Sequence, residues 1–197
     1  MQMYGPVLTG TKVTLRPPED ADAARFVEWF ADVEVTRYLG RRTVPALFQE
    51  EEFLKRVGES KTDVFWMIEA EGRAIGASGI HQIDWVNAHG ITGTVIGDRS
   101  MWRKGLGSES MALRTAYAFD QLNLHKLMTQ VLMGNEPSRR GPQKSGYREI
   151  GIAREHFLRH GPSHAPRLAE LPRPARAQPH AHCPAPSLTP RVPRCPR

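Results

Sequence analysis

The chain has few cysteines and no long apolar run. Its only cysteines, Cys183 and Cys195, lie near the C-terminus, so no disulfide framework holds the preceding sequence. A reducing compartment is therefore expected, and we predict a cytoplasmic protein. No stretch approaches the roughly 18 consecutive apolar residues of a membrane span, and the first residues lack the basic and apolar regions of a signal peptide. These absences argue against a membrane partner.

Net positive charge is also small over most of the chain, although the formal net charge of the whole is +6. Residues 161–197 hold six arginines and a single acid, so the rest is close to neutral and a nucleic-acid partner is not expected. This segment also carries ten of the sixteen prolines, a composition that buries too little apolar surface to offset ordering entropy. We predict a folded domain over residues 1–160 and a disordered Pro/Arg-rich tail over residues 161–197.

Apolar periodicity predicts a mixed chain of helices and strands. Helices early in the chain precede an antiparallel run of strands and then a strand-helix-strand unit, an order typical of an α+β fold with a central sheet. The expected helices cover residues 19–30, 33–38, 48–57, 108–122 and 135–144, and the expected strands cover residues 12–16, 63–70, 74–83, 91–96, 125–133 and 146–157.

A basic glycine turn is the most informative local feature. The segment Trp102-Arg-Lys-Gly-Leu-Gly-Ser-Glu-Ser110 follows an apolar strand and opens a helix. Glycines at 105 and 107 let backbone approach an anion closely, and the free N–H groups of a helix start point toward it. Arg103 and Lys104 add positive charge at the same place. The segment is therefore typical of a pyrophosphate cradle, although an ordinary strand-to-helix connection would also use glycines.

A second motif lies about 35 residues further on. It consists of Asn135-Glu-Pro-Ser138 followed by Lys144-Ser-Gly-Tyr-Arg-Glu-Ile-Gly151. The two motifs, in this order, resemble the acetyl-CoA signatures of the GNAT superfamily of N-acetyltransferases, and in particular its RimJ/RimL-type branch. The resemblance runs from Leu8 to about Arg159. It implies the GNAT fold, in which the strand before the glycine turn splays away from its neighbour to admit the pantetheine arm of acetyl-CoA.

The resemblance also implies which residues bind acetyl-CoA, the cosubstrate. The backbone of Val95, Ile96 and Gly97 would contact the pantetheine and the acetyl oxygen. Asn135 would bind the pantetheine or lie beside the thioester. The pyrophosphate would lie on the turn made by Arg103, Lys104, Gly105, Leu106, Gly107 and Ser108.

The catalytic residues are less clear, because the chain departs from the family pattern. Ser138 is the candidate acid for the leaving thiolate, or alternatively only part of a helix cap. The tyrosine found in many members seven residues after the asparagine is Pro142 here, and Tyr147 reads as a packed aromatic. Ile91 stands where related enzymes carry a glutamate base, so His81, with Asp84 nearby, is the candidate replacement.

Three functions remain open at this point. The leading interpretation is transfer of an acetyl group to a primary amine, either a protein N-terminus or a small amine, by direct attack and without a metal. The second is a degenerate member of the fold that binds CoA with little activity, because the last strand of the sheet is expected to be missing. An edge exposed by that loss would favour a homodimer. The third is an adaptor that binds acidic partners through its basic tail.

Overall fold

A mixed sheet of eight strands carries helices on both faces in the computed structural model, which describes residues 4–40, 43–154, 156 and 166–174. The strands are β1 (Leu8–Thr9), β2 (Thr14–Arg16), β3 (Val64–Ala70), β4 (Arg73–Asp84), β5 (His89–Ile96), β6 (Lys126–Leu132), β7 (Arg148–Ile152) and β8 (Pro166–Pro172). The helices are α1 (Asp22–Ala31), α2 (Val33–Thr36), α3 (Leu47–Glu59), α4 (Leu106–Asp120) and α5 (Glu136–Lys144).

The strands are arranged in the order β1-β2-β3-β4-β5-β6-β8-β7. Strands β5 and β6 run parallel, and the other neighbouring pairs described are antiparallel. The parallel pair is joined through α4, as a crossover between parallel strands requires. The predicted α+β fold with a mixed, mostly antiparallel sheet flanked by helices is therefore confirmed.

Successive side chains of β3 point to opposite faces of the sheet, and each face has its own hydrophobic core. Trp66 and Ile68 point toward α4, whereas Phe65 and Met67 point toward α1 and α3. On the second face, Phe26 of α1 packs against Phe65 with ring centroids 6.3 Å apart. Strand β5 and the middle of β4 alternate in the same way, whereas register shifts near the two ends of β4 place Ile75, Ile80 and Ile83 all in the core on the α4 face.

The prediction that the sheet lacks its last strand is wrong. Strand β8 lies between β6 and β7 and pairs with β6 from Pro166 to Pro172. Ala169 and Leu171 contact the core on the α4 face, so even this weakly apolar segment alternates. The segment was assigned to the tail because two prolines bound it and its apolar side chains are few and small.

The predicted boundary at residue 160 is consequently too early for a strand that reaches Pro172. Residues 161–165 and 175–197, which include Cys183 and Cys195, lie outside the described residues, and disorder there stays a prediction. The expected homodimer rested on the edge left by a missing strand, and β8 removes that argument. No helix in the described ranges is long and apolar enough to cross a bilayer.

Replacing Ala169 with proline tests the position of β8. Proline removes a backbone N–H and disturbs a strand that has partners on both sides, so we expect Ala169→Pro to lower the free energy of unfolding by more than about 1 kcal/mol. Ala169→Ser keeps the N–H and should cost much less. Urea unfolding of both variants provides the measurement, and equal midpoints would show that residues 166–172 do not form a strand inside the sheet.

Candidate active site

Strands β5 and β6 begin as a parallel pair and then separate. Their register covers only His89, Gly90 and Ile91 of β5, opposite residues 126–128 of β6. Beyond that point β5 continues to Ile96 with β4 alone as its partner, and β6 continues to Leu132 with β8 alone. The sheet therefore has a wedge-shaped opening bordered by backbone on both sides.

Hydrogen bonding along β5 determines which backbone groups face this opening. The Gly97 N–H donates to the Ile75 carbonyl at 2.9 Å. Since pairing alternates along an antiparallel ladder, Val95 and Gly93 also turn their N–H and C=O groups toward β4. The backbone N–H and C=O groups of Thr94 and Ile96 therefore point away from β4 and toward the opening. Of the residues predicted to make backbone contacts, only Ile96 turns its backbone toward the opening, and its carbonyl already accepts from Trp102 Nε1 at 2.8 Å. Val95 and Gly97 do not present N–H groups to the opening, and Thr94 was missed.

The glycine turn lies at the end of β5. Gly105 has φ +83° and precedes the first residue of α4, with no side chain capping the helix start. The N–H groups of Leu106 and Gly107 have no carbonyl acceptor within the helix, whereas the Ser108 N–H donates to the Gly105 carbonyl. A Cβ added at Gly105 would meet no protein atom within 4 Å. The turn is open to solvent, and Arg103 and Lys104 are exposed beside it.

His81 and Asp63 form a pair on the α1 and α3 face of the sheet. The His81 Nδ1 lies 3.1 Å from Asp63 Oδ1. Because a carboxylate only accepts hydrogen bonds, Nδ1 carries the proton in the neutral ring and Nε2 keeps its lone pair. Burial lowers the pKa of His81 below its ordinary value, and the charge of Asp63 opposes this shift. The imidazole is therefore neutral at pH 7 and able to accept a proton.

Two glycines without side chains leave room for the His81 imidazole on this face of the sheet. A Cβ added at Gly79 would lie 2.5 Å from His81 Nε2, and one added at Gly93 would lie 3.9 Å from the same atom. Gly93 precedes Thr94, whose backbone faces the opening. His81 is also the register partner of Ile91, the position at which related enzymes carry a glutamate base. The histidine thus occupies the same region as the missing carboxylate, from the adjacent strand.

Arg114 of α4 lies on the opposite face of the same stretch of β5, with 1% of its surface exposed. Its Nη1 donates to the Gly93 carbonyl at 2.6 Å, to Thr94 Oγ1 at 2.7 Å and to Ser78 Oγ at 3.0 Å. The buried Tyr147 side chain is a further hydrogen-bond partner of this guanidinium, and burial lowers the pKa of Arg114. Within the described residues no carboxylate pairs with it, and its Nε has no partner. A buried cation without a counter-charge is costly, so its position calls for a reason.

A hydroxyl network joins the two strands where they begin to separate. Thr92 Oγ1 donates to the Met128 carbonyl at 3.0 Å, and Thr129 Oγ1 donates to the Thr92 carbonyl at 3.2 Å. The buried Tyr147 hydroxyl lies 3.2 Å from Thr92 Oγ1. Tyr147 belongs to the core, which confirms its interpretation as a packed aromatic residue.

The far side of the opening carries the second motif. Asn135 caps α5, because its Oδ1 accepts from the Ser138 N–H at 3.3 Å. Ser138 is exposed at this helix start. Tyr38 reaches the same region from the turn that follows α2, and its hydroxyl donates to the Gly134 carbonyl at 3.1 Å. Sequence reasoning missed Tyr38, since nothing local connects it with a residue almost a hundred positions away.

Asp84 is placed differently from His81. Its carboxylate accepts hydrogen bonds from the Asn87 backbone N–H at 2.9 Å, from the Asn87 side chain at 2.7 Å and from the Val86 N–H at 2.9 Å. These bonds stabilise the turn between β4 and β5 and hold the pKa of Asp84 below its ordinary value. This carboxylate therefore serves the turn, and His81 remains the candidate base.

Comparisons with known proteins agree with this geometry. A family model described as the acetyltransferase (GNAT) domain matches residues 12–148. The chain is 27% identical over 161 residues to the uncharacterized N-acetyltransferase YoaA of Bacillus subtilis, covering 79% of this chain and 90% of that protein.

Two solved structures share the fold at low identity. Spermidine N-acetyltransferase from Vibrio cholerae in complex with CoA and spermine has a TM-score of 0.77 at 18% identity, covering 83% of this chain and 96% of that one. Mycobacterium smegmatis RimJ in complex with CoA-disulfide has a TM-score of 0.72 at 19% identity, covering 85% and 86%. The expected fold with a splayed strand pair is thereby confirmed.

The titration of His81 tests the described pair. We expect its pKa, followed by NMR of the imidazole, to lie below the ordinary value of about 6.5. Asp63→Asn should lower it further, because it removes the carboxylate charge that favours the imidazolium. Asp84→Asn is the matched control and should leave the His81 resonance unchanged. A rise in the His81 pKa in Asp63→Asn would contradict this arrangement.

Proposed function

The chain belongs to the GNAT acetyltransferase family and is an acetyl-CoA-dependent N-acetyltransferase; from this premise we propose that it acetylates a primary amine by direct attack of the amine on the thioester. The observation that carries the proposal is the opening between β5 and β6, with the uncapped start of α4 at its end. One region thus offers backbone partners for a pantetheine arm and N–H groups for a pyrophosphate. Direct attack needs no metal ion.

We assign the acetyl-CoA contacts to three groups of residues. The backbone of Thr94 and the N–H of Ile96 would bind the pantetheine and the acetyl oxygen, because the Ile96 carbonyl is already held by Trp102 Nε1. The turn from Arg103 to Ser108 would hold the pyrophosphate. Asn135, although it caps α5, stays a candidate because its side-chain N–H₂ is a separate donor from the oxygen that forms the cap.

His81 is the proposed general base. The amine reaches the enzyme as an ammonium ion and must lose a proton before it attacks the carbonyl carbon. Nε2 of the neutral imidazole can accept that proton through water, and Asp63 holds the required tautomer. Attack places negative charge on the carbonyl oxygen, where backbone N–H donors stabilise it. The C–S bond then breaks and the thiolate takes up a proton.

Two hydroxyls at the far side of the opening can supply that last proton. Ser138 follows from the family resemblance, and Tyr38 follows from its hydrogen bond beside the end of β6. A phenol has a pKa closer to that of a thiol than a serine hydroxyl has, which favours Tyr38 as the donor. The two candidates differ in chemistry and in position, since Tyr38 lies in the turn after α2 and Ser138 lies in the first turn of α5.

Two acceptor classes stay open. The resemblance of the two motifs to the RimJ/RimL-type branch implies a protein N-terminus. The shared fold of a spermidine N-acetyltransferase is the reason to test a small polyamine. Thiol release from acetyl-CoA over a panel of peptides with free N-termini, polyamines and amine-bearing antibiotics distinguishes them. The interpretation as a degenerate CoA binder loses one of its grounds, because β8 completes the sheet.

Binding of acetyl-CoA tests the pyrophosphate cradle. It should stabilise the native state by RT ln(1 + [L]/Kd), about 2.7 kcal/mol at a hundredfold excess over Kd. Gly107→Val should abolish the thermal shift, because its side chain would enter the cradle while its Cβ touches only Ile96, at 3.6 Å. Gly151→Val is the control, since Gly151 has open space and lies on β7. A full shift in Gly107→Val would place the pyrophosphate elsewhere.

Parallel substitutions separate the two candidate acids. Tyr38→Phe should lower kcat by about tenfold or more without changing CoA affinity, if the phenol protonates the thiolate. Ser138→Ala should leave kcat nearly unchanged, since the cap uses the Ser138 backbone N–H rather than its hydroxyl. Steady-state kinetics on both proteins decide the matter, and the reverse pattern would assign the proton to Ser138.

A further inference from the structure

Arg114 occupies a position that binding of acetyl-CoA alone does not explain. It is buried beneath β5, on the face opposite His81, and it holds a positive charge that no described carboxylate balances. An arginine remains protonated in proteins, so this cation cannot escape its burial by losing a proton. It lies on the α4 side, away from the surface where a pyrophosphate or an amine would approach.

The hydrogen bond to the Gly93 carbonyl places the positive charge of Arg114 at the oxygen of one particular peptide group. That carbonyl belongs to the same peptide group as the Thr94 N–H, and the two point to opposite edges of the strand. The carbonyl accepts from Arg114 at 2.6 Å, whereas the N–H faces the opening between β5 and β6. A cation at the oxygen of a peptide group draws electron density from its nitrogen and strengthens the N–H as a donor.

We propose that Arg114 is a positioning residue that polarises the Gly93–Thr94 peptide, so that the Thr94 N–H stabilises the negative charge developing on the acetyl oxygen. This inference rests on the proposed acetyl transfer and deepens it. The low dielectric around Arg114 makes the polarisation stronger than a surface arginine could achieve. Ser78 Oγ and Thr94 Oγ1 also accept from the guanidinium, and with the Tyr147 side chain they hold it against the strand.

The arrangement also explains the location of Gly93. His81 Nε2 lies above this residue and the guanidinium lies below it. The proton acceptor and the polarised peptide therefore meet at one point of β5. A larger side chain at Gly93 would extend toward the imidazole, so the absence of a side chain keeps that space open.

The experiment compares the wild type with Arg114→Met, Arg114→Gln and Arg114→Lys. The two neutral variants should lower kcat by about tenfold or more, which is less than the loss of a whole oxyanion donor, with the CoA Kd unchanged within about threefold. Arg114→Lys keeps the charge and should retain more activity than either. Thr115→Val is the control, because this neighbouring hydroxyl is buried without a partner and plays no part in the site.

Infrared spectroscopy gives a readout that a purely structural role would not move. Acetyl-CoA labelled with ¹³C at the carbonyl should show a band displaced to lower frequency when bound to the wild type, and a smaller displacement in the neutral variants. An unchanged band or an unchanged kcat in a folded neutral variant that binds CoA overturns this inference alone. Failure of the wild type to bind acetyl-CoA overturns the proposed function and this inference together.

Discussion

The separation of β5 from β6 is the constraint on which the rest of the structure depends. After three paired residues the two parallel strands diverge, and the backbone of Thr94 and the N–H of Ile96 lose the neighbours that a continuous sheet would provide, whereas the Ile96 carbonyl accepts from Trp102 Nε1. Unpaired backbone polar groups inside a sheet are unfavourable unless water or a ligand satisfies them. The fold therefore contains a vacant strand position, and a pantetheine arm with its two amide groups is suited to fill it.

Holding such an opening in place requires polar contacts in the interior. The hydroxyls of Thr92, Thr129 and Tyr147 connect β5, β6 and the start of β7 where the divergence begins. Arg114 extends this network to α4, at the cost of burying a cation without a counter-charge. Strain and desolvation of this kind are usually retained where function requires them. The stability of the site and its reactivity thus depend on the same few buried groups.

The sequence predicted the long elements well, because β3, β4, β5 and α4 carry clear periodic patterns. It also predicted the glycine turn, whose chemistry is local. It could not predict contacts made across the fold, such as Asp63 with His81 or Tyr38 with Gly134, because these pairs depend on strand register and loop path. The direction of each backbone group in β5 also depends on register, which is why Val95 and Gly97 were predicted in place of Thr94.

The error about β8 has a physical consequence for the site. Strand β6 pairs with β5 over three residues but with β8 over its whole length, from Lys126 to Leu132. Without β8, β6 would lose most of its hydrogen bonds and could not hold one wall of the opening, and α5 with Asn135 and Ser138 would lose its support. Strand β8, which is short, weakly hydrophobic and bounded by two prolines, therefore maintains the opening between β5 and β6, although it contributes no residue to the chemistry.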